Sequence, residues 1–435
     1  MNKNLIWLAL IFCSCTVQKI KNSVRDSEVF EKGHIGFMLV DPDKDKTLYA
    51  LNEKKYFIPA SNTKIFTLYT SYKALGTDRT NGINYLQSGD SLIFWGTGDP
   101  SLLHPDLKDR TVIEFLKASP YNLYMVDDFE QVNAYGPGWS WDWYNYYYGP
   151  DRSVLPVYGN VVRFQKDKTQ TEFMVYPERF QSELTEAVDL ARNNYNFRRA
   201  QFTNTYRYYV NKENTQLSFE TDKPFITSPS LAATMVSEAI EKPITLIPNK
   251  NYRKQIHQKL KSAPIDSIYK QMMKISDNFL AEQLMLLVSD QLFDSINIKS
   301  AIEYSKTNWL SDLPDDPEWV DGSGLSSQNK FTPRTIISLL GKIKAELPME
   351  KIKAYFPAGG ESGTIKAYYK SDLGQPPYVY AKTGTLSMST ALSGYLFTKS
   401  GKVLLFSFLL NNYTIPSDEL KKEMEKVLYF IHSKY

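Results

Sequence analysis

Val379-Tyr380-Ala381-Lys382-Thr383-Gly384-Thr385, followed by Thr390 to Phe397 and Val403 to Leu410, is the stretch from which the fold is read. These are runs of β-branched, aromatic and aliphatic residues, and the last two are joined by the turn Thr398-Lys399-Ser400-Gly401-Lys402, so three strands are predicted. A final helix follows, with Ser417 at its N-cap, Asp418 and Glu419 in the first turn, and Leu420, Met424, Val427, Leu428 and Ile431 along one stripe. At the other end of the chain, Ile35 to Val40 and Thr47 to Leu51 flank Asp41-Pro42-Asp43-Lys44-Asp45 and read as a hairpin. Two N-terminal strands and three C-terminal strands make one five-stranded antiparallel sheet. The fold class expected is therefore α+β, with that sheet flanked by helices and closed by the first and last elements of the chain.

What lies between is an excursion. Ile65, Leu68, Tyr69 and Tyr72 recur at helical spacing, so a helix starts near Ser61 and stops at Gly76. From Thr77 to about Pro224 the text changes to short alternating runs punctuated by Gly, Pro, Asn and Asp, including Trp139-Ser140-Trp141-Asp142-Trp143-Tyr144. This predicts an inserted, mostly β region over 77–224. Helical periodicity returns at Leu231 to Ile240 and at Phe279 to Leu292. The expected organisation is a signal segment (1–15), a linker (16–30), a core formed by 30–76 and 225–435, and the insertion.

Composition limits the chemistry. The 435 residues carry 51 basic and 48 acidic side chains, a balance of +3 without basic blocks, which argues against a nucleic-acid partner. Both cysteines, Cys13 and Cys15, lie in the first fifteen residues, so the body has no disulfide framework, thiolate metal site or cysteine nucleophile. Lys3 precedes the apolar run Leu5 to Phe12, too short to span a bilayer but suited to export. Because that run ends in Cys13-Ser14-Cys15, it resembles a bacterial lipoprotein signal, with Cys15 as the lipidated residue; ordinary cleavage nearby is the rival reading. Each buried CH₂ of an acyl chain contributes about 0.8 kcal/mol, so several chains hold a soluble body to a membrane surface. The expected place is the periplasm or cell envelope.

None of the four histidines opens an H-E-x-x-H, and neither G-x-S-x-G nor a P-loop occurs. A serine enzyme would then need another base, and lysine serves where burial lowers an ammonium pKa from about 10.4 toward 7 to 8. Three S-x-x-K matches exist: Ser61 to Lys64, Ser267 to Lys270 and Ser327 to Lys330. Only the first stands at the start of an apolar-periodic helix, where residues i and i+3 share a face and the Lys64 amine reaches the Ser61 hydroxyl. Ser276-Asp277-Asn278 opens the helical segment from Phe279, offering a hydroxyl as proton relay and an amide for a substrate carbonyl; taken alone it is an N-cap. Lys382-Thr383-Gly384-Thr385 lies on a strand whose glycine permits close backbone approach, and its cation and hydroxyl suit a carboxylate. Lys399-Ser400-Gly401 fits the same K-[ST]-G pattern, but in a hairpin turn it reads as solvated.

The order S-x-x-K, S-x-N, K-T-G resembles the serine penicillin-binding-protein superfamily, most closely the D-Ala-D-Ala carboxypeptidase/endopeptidase family of the penicillin-binding protein 4 type, peptidase S13. Gly96-Thr97-Gly98-Asp99-Pro100-Ser101-Leu102, Gly136-Pro137-Gly138-Trp139, Asp321-Gly322-Ser323-Gly324-Leu325 and Ala391-Leu392-Ser393-Gly394-Tyr395 are similar to that family's text. The resemblance implies a transpeptidase/β-lactamase-like core with the insertion between the first and second motifs. It implies Ser61 as nucleophile, Lys64 as base, Ser276 as relay and Asn278 as substrate holder. Lys382, Thr383, Gly384 and Thr385 would bind substrate, with no metal or organic cofactor. The implied substrates are peptidoglycan stem peptides and the implied covalent inhibitors β-lactams. Three alternatives stay open: a serine β-lactamase, although no E-x-x-x-N segment lies between Asn278 and Lys382; a DD-transpeptidase; and a non-catalytic wall-binding protein that stacks Trp139 to Tyr148 on glycan.

Overall fold

The computed structural model describes residues 18–129, 132–191 and 193–435. The signal segment and Cys15 lie outside the described residues. The chain divides into two compact units, one made of residues up to Lys73, Tyr269–Asp277 and Ile302–Tyr435, the other of Ala74–Ile268 and Asn278–Ala301.

In the first unit the five strands expected from the sequence form one antiparallel sheet, in the order Val379–Leu386, Ser389–Phe397, Val403–Asn411, His34–Asp41 and Lys46–Leu51. The central strand Val403–Asn411 is buried along almost its whole length, as its unbroken apolar run requires of a strand covered on both faces. Its alternate residues Leu404, Phe406, Phe408 and Leu410 share a core with Phe37, Leu39 and the helix Ser417–Lys434, whose Leu420, Met424, Val427, Leu428 and Ile431 are all buried. Leu405 points the other way, toward Gly341 on the helix Pro333–Glu346, and Tyr395 donates to Leu340 O on the same helix. The pleat thus assigns two faces with a period of two.

Two details differ from the sequence reading. Ser417 is the first residue of its helix, and the N-cap is Pro416, which provides no side-chain cap. Residues 18–25, expected as linker, are helical; Ile20 and Val24, one turn apart, are buried in the core beneath the sheet, and Ser27 donates to Glu423 of the last helix. Two apolar side chains at i and i+4 are enough to seat two turns on a large apolar surface.

The second unit is built on a mixed five-stranded sheet in the order Ile244–Pro248, Asn122–Asp127, Ser91–Gly96, Arg79–Ser88 and Gln258–Pro264. The pairs on either side of Asn122–Asp127 are parallel, and the helices Thr111–Ala118 and Pro229–Ile240 make the crossovers that parallel pairing needs. Two three-stranded sheets lie within the long second crossover. The sequence boundary at Pro224 therefore differs from the observed division, because Gln258–Pro264 completes the sheet against Arg79–Ser88. The helix Asn278–Phe293 also belongs to this unit, fixed by Gln283, which bonds Gly98 O, Ser153 O and Ser153 N, and by Arg152, whose Nε and Nη2 both donate to Glu282 Oε2.

Phe37 stacks on Phe408 with ring centroids 3.8 Å apart at 7°. Replacing it with alanine leaves a cavity that a paired sheet cannot close, so Phe37→Ala is expected to cost about 3–5 kcal/mol in urea or thermal unfolding. The exposed Leu373→Ala should stay within about 0.5 kcal/mol of wild type.

Candidate active site

The nucleophile candidate sits in a strained turn. Ala60–Asn62 form a 3-10 turn that leads into the helix Thr63–Leu75, and Ala60 has φ +47, a left-handed conformation that costs a residue with a Cβ about 1–2 kcal/mol. The turn is held from two sides. Gly384 on the K-T-G strand approaches so closely that a Cβ there would lie 2.5 Å from Pro59 O and 3.0 Å from Ser61 N. Gly324, at φ +83, lies against Ala60 O with no room for a side chain. Asn62 Nδ2 donates to Lys382 O at 2.9 Å, tying the nucleophile's neighbour to the same strand.

Lys64 is fully buried, with Nζ 3.0 Å from Ser61 Oγ and 2.7 Å from Ser323 O. Ser323 belongs to the turn Asp321-Gly322-Ser323-Gly324-Leu325, which Asp321 organises: Oδ1 accepts from Gly324 N and Asn329 Nδ2, and Oδ2 from Ser326 N. Gly322 O accepts from Thr67 Oγ1, one turn along the helix from Thr63. The turn thus fixes the base candidate through main-chain carbonyls. No side-chain motif marks this task. The turn's legible signal is an Asp heading a Gly-x-Gly turn, a residue type that caps its own backbone.

Lys382 lies on the face of Val379–Leu386 that looks toward the Ser61 turn, one pleat from Gly384 and paired across the ladder with Ser393. It is fully buried; Nζ donates to Ser276 Oγ and to Thr383 O, both at 2.8 Å. Burial, and behind it repulsion from the Lys64 charge, holds its amine well below the ordinary lysine range. That repulsion is mutual, so two protons on this pair are costly.

The pleat sends Thr383 to the opposite face, where its hydroxyl donates to Thr364 Oγ1 at 2.7 Å. Along the outer edge of the strand, Val379 O accepts from Gly359 N and Ala381 N donates to Pro357 O. Backbone groups of alternate residues share one side of an antiparallel strand, so the edge groups of Thr383 and Thr385 point outward as well.

Ser61, Lys64, Ser276, Lys382 and Gly384 therefore come together in the first unit. Asn278 opens the long helix of the second unit, and its Nδ2 donates to Tyr148 O at 3.0 Å, at the end of the aromatic segment. The other motif matches stay apart from this chemistry. Ser267 donates to Pro264 O, Lys330 donates to Ser327 O, and Lys399 pairs with Asp372 in its hairpin turn. Among the described residues no group of three or more His, Cys, Asp or Glu is placed to hold a metal ion.

Residues 16–433 match the family model described as the D-Ala-D-Ala carboxypeptidase 3 (S13) family. The D-alanyl-D-alanine carboxypeptidase DacB of Haemophilus influenzae is 24% identical over 473 residues, covering 98% of this chain and 96% of its own. The D-alanyl-D-alanine carboxypeptidase of an Actinomadura species is 25% identical over 442 residues, covering 91% and 81%. The crystal structure of penicillin binding protein 4 (dacB) from Haemophilus influenzae matches with a TM-score of 0.72 at 19% identity, over 96% of this chain and 99% of that one, which shows the fold is shared. The chain belongs to the D-Ala-D-Ala carboxypeptidase 3 (S13) family of serine-type peptidases.

Proposed function

We propose that the protein removes the terminal D-alanine of peptidoglycan stem peptides, and cuts D-Ala cross-link bonds, through an acyl-enzyme on Ser61. The observation that carries this reading is the buried Lys64 amine 3.0 Å from Ser61 Oγ, beside a K-T-G strand pressed against the Ser61 backbone. Neutral Lys64 takes the Ser61 proton as Oγ attacks the carbonyl. The developing oxyanion is met by the N–H groups of Ser61 and Thr385, each such donor being worth about 10² to 10³ in kcat. Ser276 passes a proton to the departing amine, Asn278 orients the peptide, and Lys382 holds the terminal carboxylate, with Thr383 offering its outward main-chain edge to the peptide. Lys64 refills Ser276 and is neutral again. Water then attacks the acyl carbon, Lys64 takes its proton and hands it to Ser61 Oγ as the ester bond breaks, and the shortened stem leaves. A β-lactam acylates the same oxygen, but its amine stays tethered to the acyl group, so the adduct persists.

A carboxylate beside Lys382 also sorts the charges. It holds the proton on Lys382 against the burial and the Lys64 charge that lower that amine. Export and a lipid on Cys15 complete the reading, since the substrate lies outside the cytoplasm and the segment before Cys15 is apolar.

Three outcomes are expected. A fluorescent penicillin labels the wild-type protein and not Ser61→Ala, and mass spectrometry of digested peptidoglycan shows D-Ala loss from monomers and conversion of dimers to monomers; label retained by Ser61→Ala contradicts the assignment. Because bound carboxylate favours protonated Lys382, the bound form carries more protons and affinity falls as pH rises through the free enzyme's lowered value. Binding of a carboxylate-bearing β-lactam should therefore weaken well below the pH at which an ordinary lysine loses its proton, while Lys382→Met binds weakly at every pH. Cys15→Ser should move the protein from the membrane fraction to the soluble one, and unchanged partition would remove the anchor.

A further inference from the structure

We propose that Lys274 is a positioning residue that acts through the loop Phe356 to Thr364 to hold Ser276 at its distance from the K-T-G strand. The turn that carries Ser276 is open to solvent at Ile275 and left-handed at the serine itself. Ile275 is more than half exposed, and Ser276 has φ +63, a left-handed conformation disfavoured by about 1–2 kcal/mol for a residue with a Cβ. Asp277 N closes the turn on Met272 O of its own helix.

Lys274, the last residue of the helix Ile265–Lys274, supplies the outside anchor. Its Nζ donates to Phe356 O at 2.5 Å and to Ser362 Oγ at 2.9 Å. Its own carbonyl lies 2.5 Å from where a Cβ on Gly363 would stand, and Gly363 has φ +67, so the loop is pressed onto the helix end where only glycine fits. Burial first, then the Lys270 charge, against the opposing pull of Glu361, brings the Lys274 amine to about 8, which leaves it a cationic donor at neutral pH.

From there the loop runs to the third motif by two routes. Pro357 and Gly359 pair with Ala381 and Val379 on the strand edge, and Thr364 Oγ1 accepts from Thr383 Oγ1 at 2.7 Å. The Lys382–Ser276 bond closes the ring. Ser276 is therefore held from both sides: its hydroxyl by one bond, and its backbone by a braced loop that reports the position of the same strand. A shift of about 1 Å at a relay of this kind costs on the order of 10²-fold in rate.

This inference rests on Ser276 relaying a proton, and the test separates the two. With active sites counted by the stoichiometry of the penicillin adduct, the acylation rate constant and the dissociation constant of the preceding complex are measured separately. Lys274→Met is expected to lower the acylation rate constant per site about 10- to 100-fold, with the dissociation constant changed less than about threefold. Lys274→Arg should recover most of that loss. Ser362→Ala, which leaves the amine bonded to Phe356 O, should slow acylation about 3- to 10-fold and serves if Lys274→Met does not fold. A rate constant per site within about twofold of wild type in Ser362→Ala and in any folded Lys274→Met, with only thermal stability or the active fraction reduced, overturns the proposal. Failure of the underlying reading shows differently, as label retained by Ser61→Ala.

Discussion

Two lysine amines withdrawn from water are the constraint on which the rest of the structure depends. Lys64 and Lys382 are both fully buried, and a buried ammonium is tolerated only where its donors are satisfied and its charge is answered. Ser61 Oγ and Ser323 O lie within hydrogen-bonding distance of the first amine, Ser276 Oγ and Thr383 O of the second. Each contact also belongs to the arrangement from which the proposed mechanism is drawn. In the proposed mechanism the bonds that satisfy these buried amines also set the reacting geometry, and a carboxylate at Lys382 would add to both.

Close backbone approach makes this possible. Gly384 and Gly324 both press against the backbone of the Pro59 to Ser61 turn, and the left-handed Ala60 is the local strain that this close approach sustains. Side chains at either glycine would push the nucleophile away from its base. The sheet supplies the rigidity behind the squeeze, since the K-T-G strand is paired along its inner edge with Ser389–Phe397 and over the first part of its outer edge with Pro357–Gly359. The remaining outer edge, at Thr383 and Thr385, presents the main-chain groups that an extended peptide needs.

The core sheet was legible because each strand carries its own local signal, and the final helix because its stripe has one period. The second boundary was not, because Gln258–Pro264 owes its place to Arg79–Ser88, almost two hundred residues away along the chain, and no local pattern encodes such a partner. Ile20 and Val24 escaped notice for a related reason: two apolar residues in a polar stretch carry too little periodicity to mark a helix, though they suffice to seat one. In the candidate site, Ser61, Lys64, Ser276 and Lys382 were legible from motif order, since the proposed chemistry uses their side chains. Ser323 was not, because its backbone carbonyl does the work and any residue type offers one. Lys274 and Thr364 were hidden likewise, their roles arising from a loop that returns to the strand.

The central claim is that the Ser61 oxygen becomes covalently acylated during turnover. The most direct measurement is peptide-mapping mass spectrometry of enzyme quenched in acid while it processes a stem peptide ending in D-Ala-D-Ala. The account predicts an acyl group, short of the terminal D-alanine, on the peptide containing Ser61 and assigned by fragmentation to that residue. Active enzyme that accumulates the acyl group on another residue would contradict it.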